Sequence, residues 1–600
     1  MSAGYYTTST AFLEALAEAG VRYIFANLGS DHPGLIEALA QISAEDNAAL
    51  AEGSGPPAPG VSPGSRATPR GNRVPRLIVC PHETVALSAA HAYASVSRQP
   101  QAVFVHVDAG TQNLGGAVSN VMRGRVPVLI FAGAAPVTIS GELPAGRNEF
   151  IHWLQDVPDQ RGILRGYVKY DYEIRAGRNV KQVVHRALQI ARSEPAGPVY
   201  LVGPREAMEE PVEPYAADPA DYPPVSPAAL TDETTRDIAT ALAGARHPLI
   251  VTSYLGRNPD AVPALVQLAE LLAIPVLESA AFCVNFPGGH PLHAGYQFTT
   301  SAQNPRLAEA DVILVLDSDV PWIPATSRPS PDATIYAVDI DPLKAGMSMW
   351  HVPVRRVAAA DTKVAVEQIT RFVRENVLFE AGEVETRRLV ITAAGAARRA
   401  VLDSLEQPEA GVITPSFLTA CVRELLTGTD ALVLTEAITN YQVVAEHLRA
   451  SRPGSLLGSG GGSLGWAGGG AVGAKLAAPE RTVVCLVGDG SFLFGVPSSA
   501  QWVARRYGTP VLTVIYDNRG WASPKSSTLA LHPDGAAAAA DDFHVSFEPE
   551  ADLPGVAQAA GGAYGATVSD PGELPGVLKD ALAVVHGGRS AVISVQLPGV

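Results

Sequence analysis

Eleven short apolar runs recur along the chain: RYIFANLG, PRLIVC, QAVFVHV, VPVLIFAG, GPVYLVG, HPLIVTS, DVILVLD, ATIYAVDI, ALVLTE, RTVVCLVGDG and PVLTVIYDN. Each is continuous rather than alternating, rich in β-branched residues, and separated from the next by a helix-length stretch. Continuous runs of four to eight residues predict strands buried on both faces, which is the signature of parallel sheets covered by helices. The expected class is therefore α/β, built from doubly wound parallel sheets.

Two composition breaks interrupt the pattern, EEPVEPYAADPADYPPVSP at 209–227 and LDSLEQPEAGVITP near 402–414. Proline and acidic residues at that density stop helices and central strands alike, so both read as linkers. They divide the chain into three domains, 1–208, 228–375 and 410–600. Within the first, GSGPPAPGVSPGSRATPRGNR (53–73) has too little apolar content to order itself and is expected to be a flexible insert.

Composition narrows the function classes. The chain has 600 residues, 47% hydrophobic and 17% charged, which excludes global disorder and is too long for one core. Lys+Arg 44 against Asp+Glu 60 leaves a net charge of -16, unfavourable for nucleic acid or anionic lipid. No apolar stretch reaches the ~20 residues of a membrane helix, and MSAGYYTTSTAFLEALAEAG lacks a basic start followed by an apolar run; a cytoplasmic protein is expected. Cys80, Cys283, Cys421 and Cys485 form no CxxC and are expected to be free thiols.

The strongest chemical signal is RTVVCLVGDGSFLFGVPSSAQWVARRYGTPVLTVIYDNRGW. It parses as a strand (Thr482 to Val487), a loop, a helix (about Val496 to Tyr507) and a second strand (Pro510 to Tyr516). A right-handed crossover makes these strands parallel, so Gly488-Asp489-Gly490 and Asn518 emerge on one edge of the sheet. Asp489, the Asn518 amide oxygen and the Gly520 carbonyl form a hard oxygen set suited to magnesium. Gly488 and Gly490, with Ser491 beside them, let backbone N–H groups approach a diphosphate, toward which the next helix turns its N-terminus. A Rossmann site fits poorly, because the glycine-rich GSGGGSLGWAGGG precedes the strand.

With 27 residues between Gly490 and Asn518, this arrangement resembles the GDG…N signature of the thiamine diphosphate enzymes. The resemblance demands an N-terminal glutamate that activates the aminopyrimidine ring of the cofactor, and RLIVCPHETVALSAAHAYA supplies Glu83 between a strand and a helix. It also implies that Leu464 holds the cofactor bent and that Thr439 and Asn440, in TEAITNY, bind diphosphate, with ordinary helix capping as the alternative. It further implies pyrimidine-binding, central and diphosphate-binding domains in that order. A homodimer or homotetramer with active sites between subunits follows, with a 2-oxo acid as substrate, thiamine diphosphate and Mg as cofactors, and FAD admitted but not supported.

Two contexts are more similar to benzoylformate decarboxylase than to acetolactate synthase: YIFANLGSDHPG, with Ser30, and QAVFVHVDAGTQNLGGAVSN, with His106. His106 is the expected substrate-side acid/base, since an imidazole titrates near neutrality. Ser30 reads equally as a cap of a helix beginning near Pro33, and His290, in FPGGHPLHAG, as either catalytic or packing. His32 and His82 are expected to be structural. Trp521 and Lys525 are candidates for lining the substrate pocket, a solvated lysine being the plainer reading of the second. The stretch after Asn518 lacks the Gly-Met-Val-x-Gln-Trp run of acetolactate synthases. The expectation is a 2-oxo acid decarboxylase or carboligase. Acetolactate synthase, a 2-hydroxyacyl-CoA lyase and an inactive cofactor-binding regulatory subunit are the alternatives.

Overall fold

The computed structural model describes residues 6–299, 302–350, 352–408 and 411–599 except 53–72. All of the 53–73 insert but its final Arg73 thus lies outside the described residues. The chain forms two compact units, residues 1–225 with 460–478, and residues 226–459 with 479–600.

The first unit holds a sheet of β1 (Tyr23–Ala26), β2 (Arg76–Val79), β3 (Gln101–Val105), β4 (Val128–Ala134), β5 (Tyr170–Glu173) and β6 (Val199–Pro204). Its order is β2-β1-β3-β4-β6-β5 and every pair is parallel. The core on one face joins Phe12, Phe104 and Phe131 to Val184, Leu188 and Leu201. On the other face the helix Glu83–Ser97 packs on the helix Trp466–Ala477. The two approach so closely that a Cβ on Gly469 would lie 2.7 Å from the Val85 carbonyl oxygen. Thus Gly460–Ala478, read from sequence as part of the third domain, packs within the first unit. Its row of glycines is the reason, because only a helix stripped of side chains can come that near another backbone.

The second unit holds two sheets. One comprises β7 (Pro248–Thr252), β8 (Val276–Ser279), β9 (His293–Gln297), β10 (Val312–Leu316), β11 (Thr334–Asp339) and β12 (Arg356–Ala359), ordered β12-β11-β10-β7-β8-β9. The other comprises β13 (Ala431–Glu436), β14 (Leu456–Leu457), β15 (Thr482–Gly488), β16 (Leu512–Asp517), β17 (Tyr564–Val568) and β18 (Ala591–Gln596), ordered β14-β13-β15-β16-β18-β17. The first and third sheets therefore share one topology, and the central sheet has the doubly wound order that reverses between its first and fourth strands. All eleven predicted runs are strands. The strands the pattern missed are mostly edges: β5 and β12 bury no residue fully, so they lack a continuous apolar run. The linker at 209–227 is largely exposed, while the second break begins at the end of an unforeseen helix, Ala381–Ser404.

Candidate functional site

In open parallel sheets, ligands bind beyond the carboxyl ends of strands where the order reverses. In the first unit that place lies between β1 and β3, and the predicted residues converge there. Glu83 begins the helix after β2 and is buried; its two oxygens accept hydrogen bonds from Asn27 Nδ2 (2.9 Å) and Asn113 Nδ2 (3.0 Å). His82 caps the same helix, its Nδ1 accepting from the Thr84 N–H, which is the structural role expected of it. Gly110 keeps the space beside Glu83 open: a Cβ there would stand 3.1 Å from Oε1. A carboxylate held by two amide donors in a buried, small-residue setting can present an oxygen to a ring nitrogen.

His106 directly follows β3 and shares a small pocket with Ser30, Asp31, His152 and Gln155. Its Nδ1 lies 2.5 Å from Asp31 Oδ1 and its Nε2 lies 2.8 Å from Gln155 Oε1. The hydrogen bond that Asp31 accepts raises the His106 pKa against the opposing effect of burial. Burial would raise the Asp31 carboxyl, but His32 and His106 outweigh it and hold it below the usual range. His152 is shifted the other way, lowered by burial and by the Arg205 guanidinium, whose Nη1 donates to His152 Nε2 at 3.1 Å. His32 is buried and stacks on Phe104, consistent with packing. Asp31, Gln155 and His152 escaped the sequence reading. Asp31 sits in a turn without periodicity, and the 135–167 segment carries no motif; only adjacency of β1, β3 and β4 brings them to His106.

Leu464 is half-buried in the first unit, directly after a turn pinned by Asn120, whose amide bonds the Ser463 N–H (3.1 Å) and carbonyl (2.8 Å).

In the second unit, Asp489, Asn518 and Gly520 meet at the ends of β15 and β16. Asp489 Oδ1 accepts from the Gly490 N–H (2.7 Å) and Oδ2 from the Gly520 N–H (3.0 Å). Burial pushes the Asp489 carboxyl up to about 6, opposed by the Gly490 N–H and reinforced by the charge of Asp517. One terminal atom of the Asn518 amide lies 3.0 Å from the Gly520 carbonyl oxygen and 3.1 Å from Asp489 Oδ1. As nitrogen it donates to both. Turned the other way, the amide would present its oxygen there, and with Asp489 and the Gly520 carbonyl it would make a hard-oxygen donor set of the kind magnesium takes. The Trp521 ring lies on Gly490, where a Cβ would meet Cη2 at 2.7 Å. Gly488 has open space around its Cα and Ser491 is buried in the helix Asp489–Phe494. Thr439 is exposed in the turn after β13, and Asn440 makes no side-chain cap bond, so capping does not use them. Lys525 pairs with Asp541 at 3.3 Å and lies over Phe543. His290 spends Nδ1 on the Leu292 N–H (3.1 Å) and faces Glu270 with Nε2 (3.2 Å).

The crevice of the central sheet, beyond β7 and β10, is filled from within. Lys344 Nζ is buried against Asp339 (2.6 Å) and Asp319 (2.9 Å), and Ser253 Oγ meets Ser318 Oγ at 2.6 Å. Asp317 is buried beside them, its carboxyl pushed up to about 7 by burial and by Asp339.

Three domain models of the thiamine pyrophosphate enzymes match the chain in order: the N-terminal TPP binding domain over 66–163, the central domain over 235–368 and the C-terminal TPP binding domain over 437–595. The chain belongs to this family, which includes decarboxylases and synthases. It is 27% identical over 528 residues to a benzoylformate decarboxylase of Pseudomonas aeruginosa, covering 85% of this chain and 90% of that one. It is also 27% identical over 437 residues to acetolactate synthase isozyme 1 large subunit of Escherichia coli, covering 71% and 72%. The fold matches that of a thiamine diphosphate-dependent 4-hydroxybenzoylformate decarboxylase of Rhodococcus jostii RHA1 with a TM-score of 0.75 at 22% identity, over 99% of this chain and 100% of the other. Among the described residues no helix is long and apolar enough to cross a membrane.

Proposed function

We propose that this chain is a thiamine diphosphate- and magnesium-dependent decarboxylase of 2-oxo acids, of the benzoylformate decarboxylase kind. The observation that carries the reading is His106, hydrogen-bonded to a buried carboxylate in a pocket it shares with Ser30. When bound, thiamine diphosphate supplies the nucleophile for the 2-carbonyl and the electron sink that allows carbon dioxide to leave. Glu83 holds or releases a proton at the aminopyrimidine. Asp489, Asn518 and Gly520 would hold magnesium, Gly488, Gly490, Ser491, Thr439 and Asn440 would bind the diphosphate, and Leu464 would support the cofactor's conformation. His106 moves a proton at the reacting carbon or oxygen, a contribution of roughly 10²- to 10⁴-fold, while Ser30 orients the substrate. His290, tied to Glu270 and Leu292, serves packing. A homodimer or homotetramer, in the cytoplasm, without flavin, completes the reading.

The test is product analysis by mass spectrometry after incubating the protein, thiamine diphosphate and magnesium with benzoylformate and, separately, pyruvate. An aldehyde with carbon dioxide is expected. Acetolactate from pyruvate would replace this reading with the synthase, which the comparable identity to both relatives keeps as the second candidate.

A further inference from the structure

Asp31 grips its neighbour with both oxygens. Oδ1 lies 2.5 Å from His106 Nδ1, and Oδ2 accepts the Val107 N–H at 3.0 Å. Val107 has φ +25, a conformation that a β-branched residue avoids and that is retained only when its surroundings over-determine it. The backbone that aims the imidazole is thus held in a strained shape by the same carboxylate that bonds the ring. Gly133, in β4, leaves the room for this: a Cβ there would lie 2.5 Å from Asp31 Cβ and 2.6 Å from Cγ. On the far side of the ring, Nε2 faces the Gln155 carbonyl oxygen. An imidazole flanked by an acceptor at each nitrogen satisfies both only when both carry protons.

We propose that Asp31 is a positioning residue that holds His106 as the imidazolium, its Nε2 proton turned into the pocket and parked on Gln155, so that His106 serves the reaction as an acid. The inference rests on the decarboxylase reading for its use, though not for the state of the ring. When substrate displaces the Gln155 amide, the Nε2–H bond breaks and its electron pair stays on Nε2. The reacting carbon or oxygen takes the proton, and solvent restores the imidazolium. Other groups around the ring support the charge. Asp108, on the helix that His106 caps, adds negative charge and leaves one buried oxygen unpartnered. His32 sits 2.9 Å from the same Asp31 oxygen. His152, beside Gln155, is lowered by burial and then by Arg205, whose Nη1 donates to its Nε2. The two imidazoles of the pocket are thus shifted in opposite directions, the pattern that separates acid from base roles.

The direction with pH follows. A histidine pKa raised by a carboxylate keeps the ring protonated above the ordinary value, and the acid form is lost as pH rises through the raised value. In full-length protein labelled with 13Cε1-histidine, the His106 signal is assigned by its absence in His106→Gln and titrated by NMR. In Asp31→Asn the midpoint is expected to move to lower pH, and in Asp31→Glu to stay near wild type. Gln155→Leu, which leaves Asp31 in place, should lower it by a smaller amount and guards against misfolding of the buried-site variant. The alkaline limb of kcat should move with the NMR midpoint, with a loss of about 10- to 100-fold above neutral pH, smaller than removal of the imidazole itself, and KM little changed. An unchanged His106 titration in both Asp31→Asn and Gln155→Leu overturns the proposal. A shifted titration in a protein that shows no decarboxylation upholds the held imidazolium and overturns only the decarboxylase reading.

Discussion

Replacing Gly473 by alanine tests how Glu83, the glutamate proposed to act on the cofactor, is held in place. Gly473 lies in the helix Trp466–Ala477 where it crosses the helix Glu83–Ser97 within the first unit. The new Cβ would stand 2.7 Å from the Ala89 carbonyl carbon and 2.9 Å from its Cα, with the carbonyl oxygen nearer still. Ordinary carbon contacts need about 3.5–4.0 Å, so the helices must part by roughly 1 Å. The obstructing atoms are backbone, so no rotamer change relieves them. Overpacking of this kind costs about 1–3 kcal/mol. Because Glu83 is the first residue of the displaced helix, its bonds to Asn27 and Asn113 stretch with it, and a 1 Å misplacement near the chemistry can cost about 10²-fold in rate. Hydrogen exchange of residues 83–97 in the full chain, together with turnover at saturating cofactor, measures both effects, with Gly115→Ala as the control because nothing lies within 4 Å of its added Cβ. Faster exchange in 83–97 and slower turnover are expected; a Gly473→Ala protein that matches the control in both would refute the reasoning.

Glu83→Gln should bind thiamine diphosphate yet lose about 10²-fold or more in turnover, read by calorimetry beside a rate assay; retained turnover would remove Glu83 from the chemistry. Asp489→Asn and Asn518→Ala should each raise the magnesium concentration for half-maximal activity by about tenfold or more, the least expected for a direct ligand when outer partners already cost 10–100-fold; an unchanged requirement would place the metal elsewhere. Lys344→Met leaves Asp339 and Asp319 without their buried cation, a change that costs about 3–5 kcal/mol in denaturant unfolding of the second unit, and the purified wild-type protein should carry no flavin absorbance. Burial tends to raise the Glu406 carboxyl, but Arg423, His447 and Arg449 overcome it and lower the pKa to about 2. Its stabilisation is therefore full above the ordinary glutamate value of 4.5 and fades as pH falls toward 2, so the melting-temperature gap between wild type and Glu406→Gln should close across that interval.

Much of this was written along the chain. A strand buried on both faces must be apolar at every position, so the runs that became β3, β7, β10, β15 and β16 were legible without any partner in view, as was the strand–GDG–helix–strand–Asn unit in which crossover handedness alone brings Asp489 and Asn518 to one edge. Glu83 was found because a motif predicted where a glutamate should stand. Edge strands such as β5 and β12 were not legible, since half of each faces outward and lacks the apolar run. Nor was the placement of Gly460–Ala478 against the helix of Glu83, because close approach of two backbones depends on which glycines face each other across the contact. Asp31 and Gln155 were hidden for a related reason. The hydrogen-bond partners of His106 lie 75 and 49 residues away, and a contact between segments so far apart leaves no period, spacing or composition in the sequence that makes it.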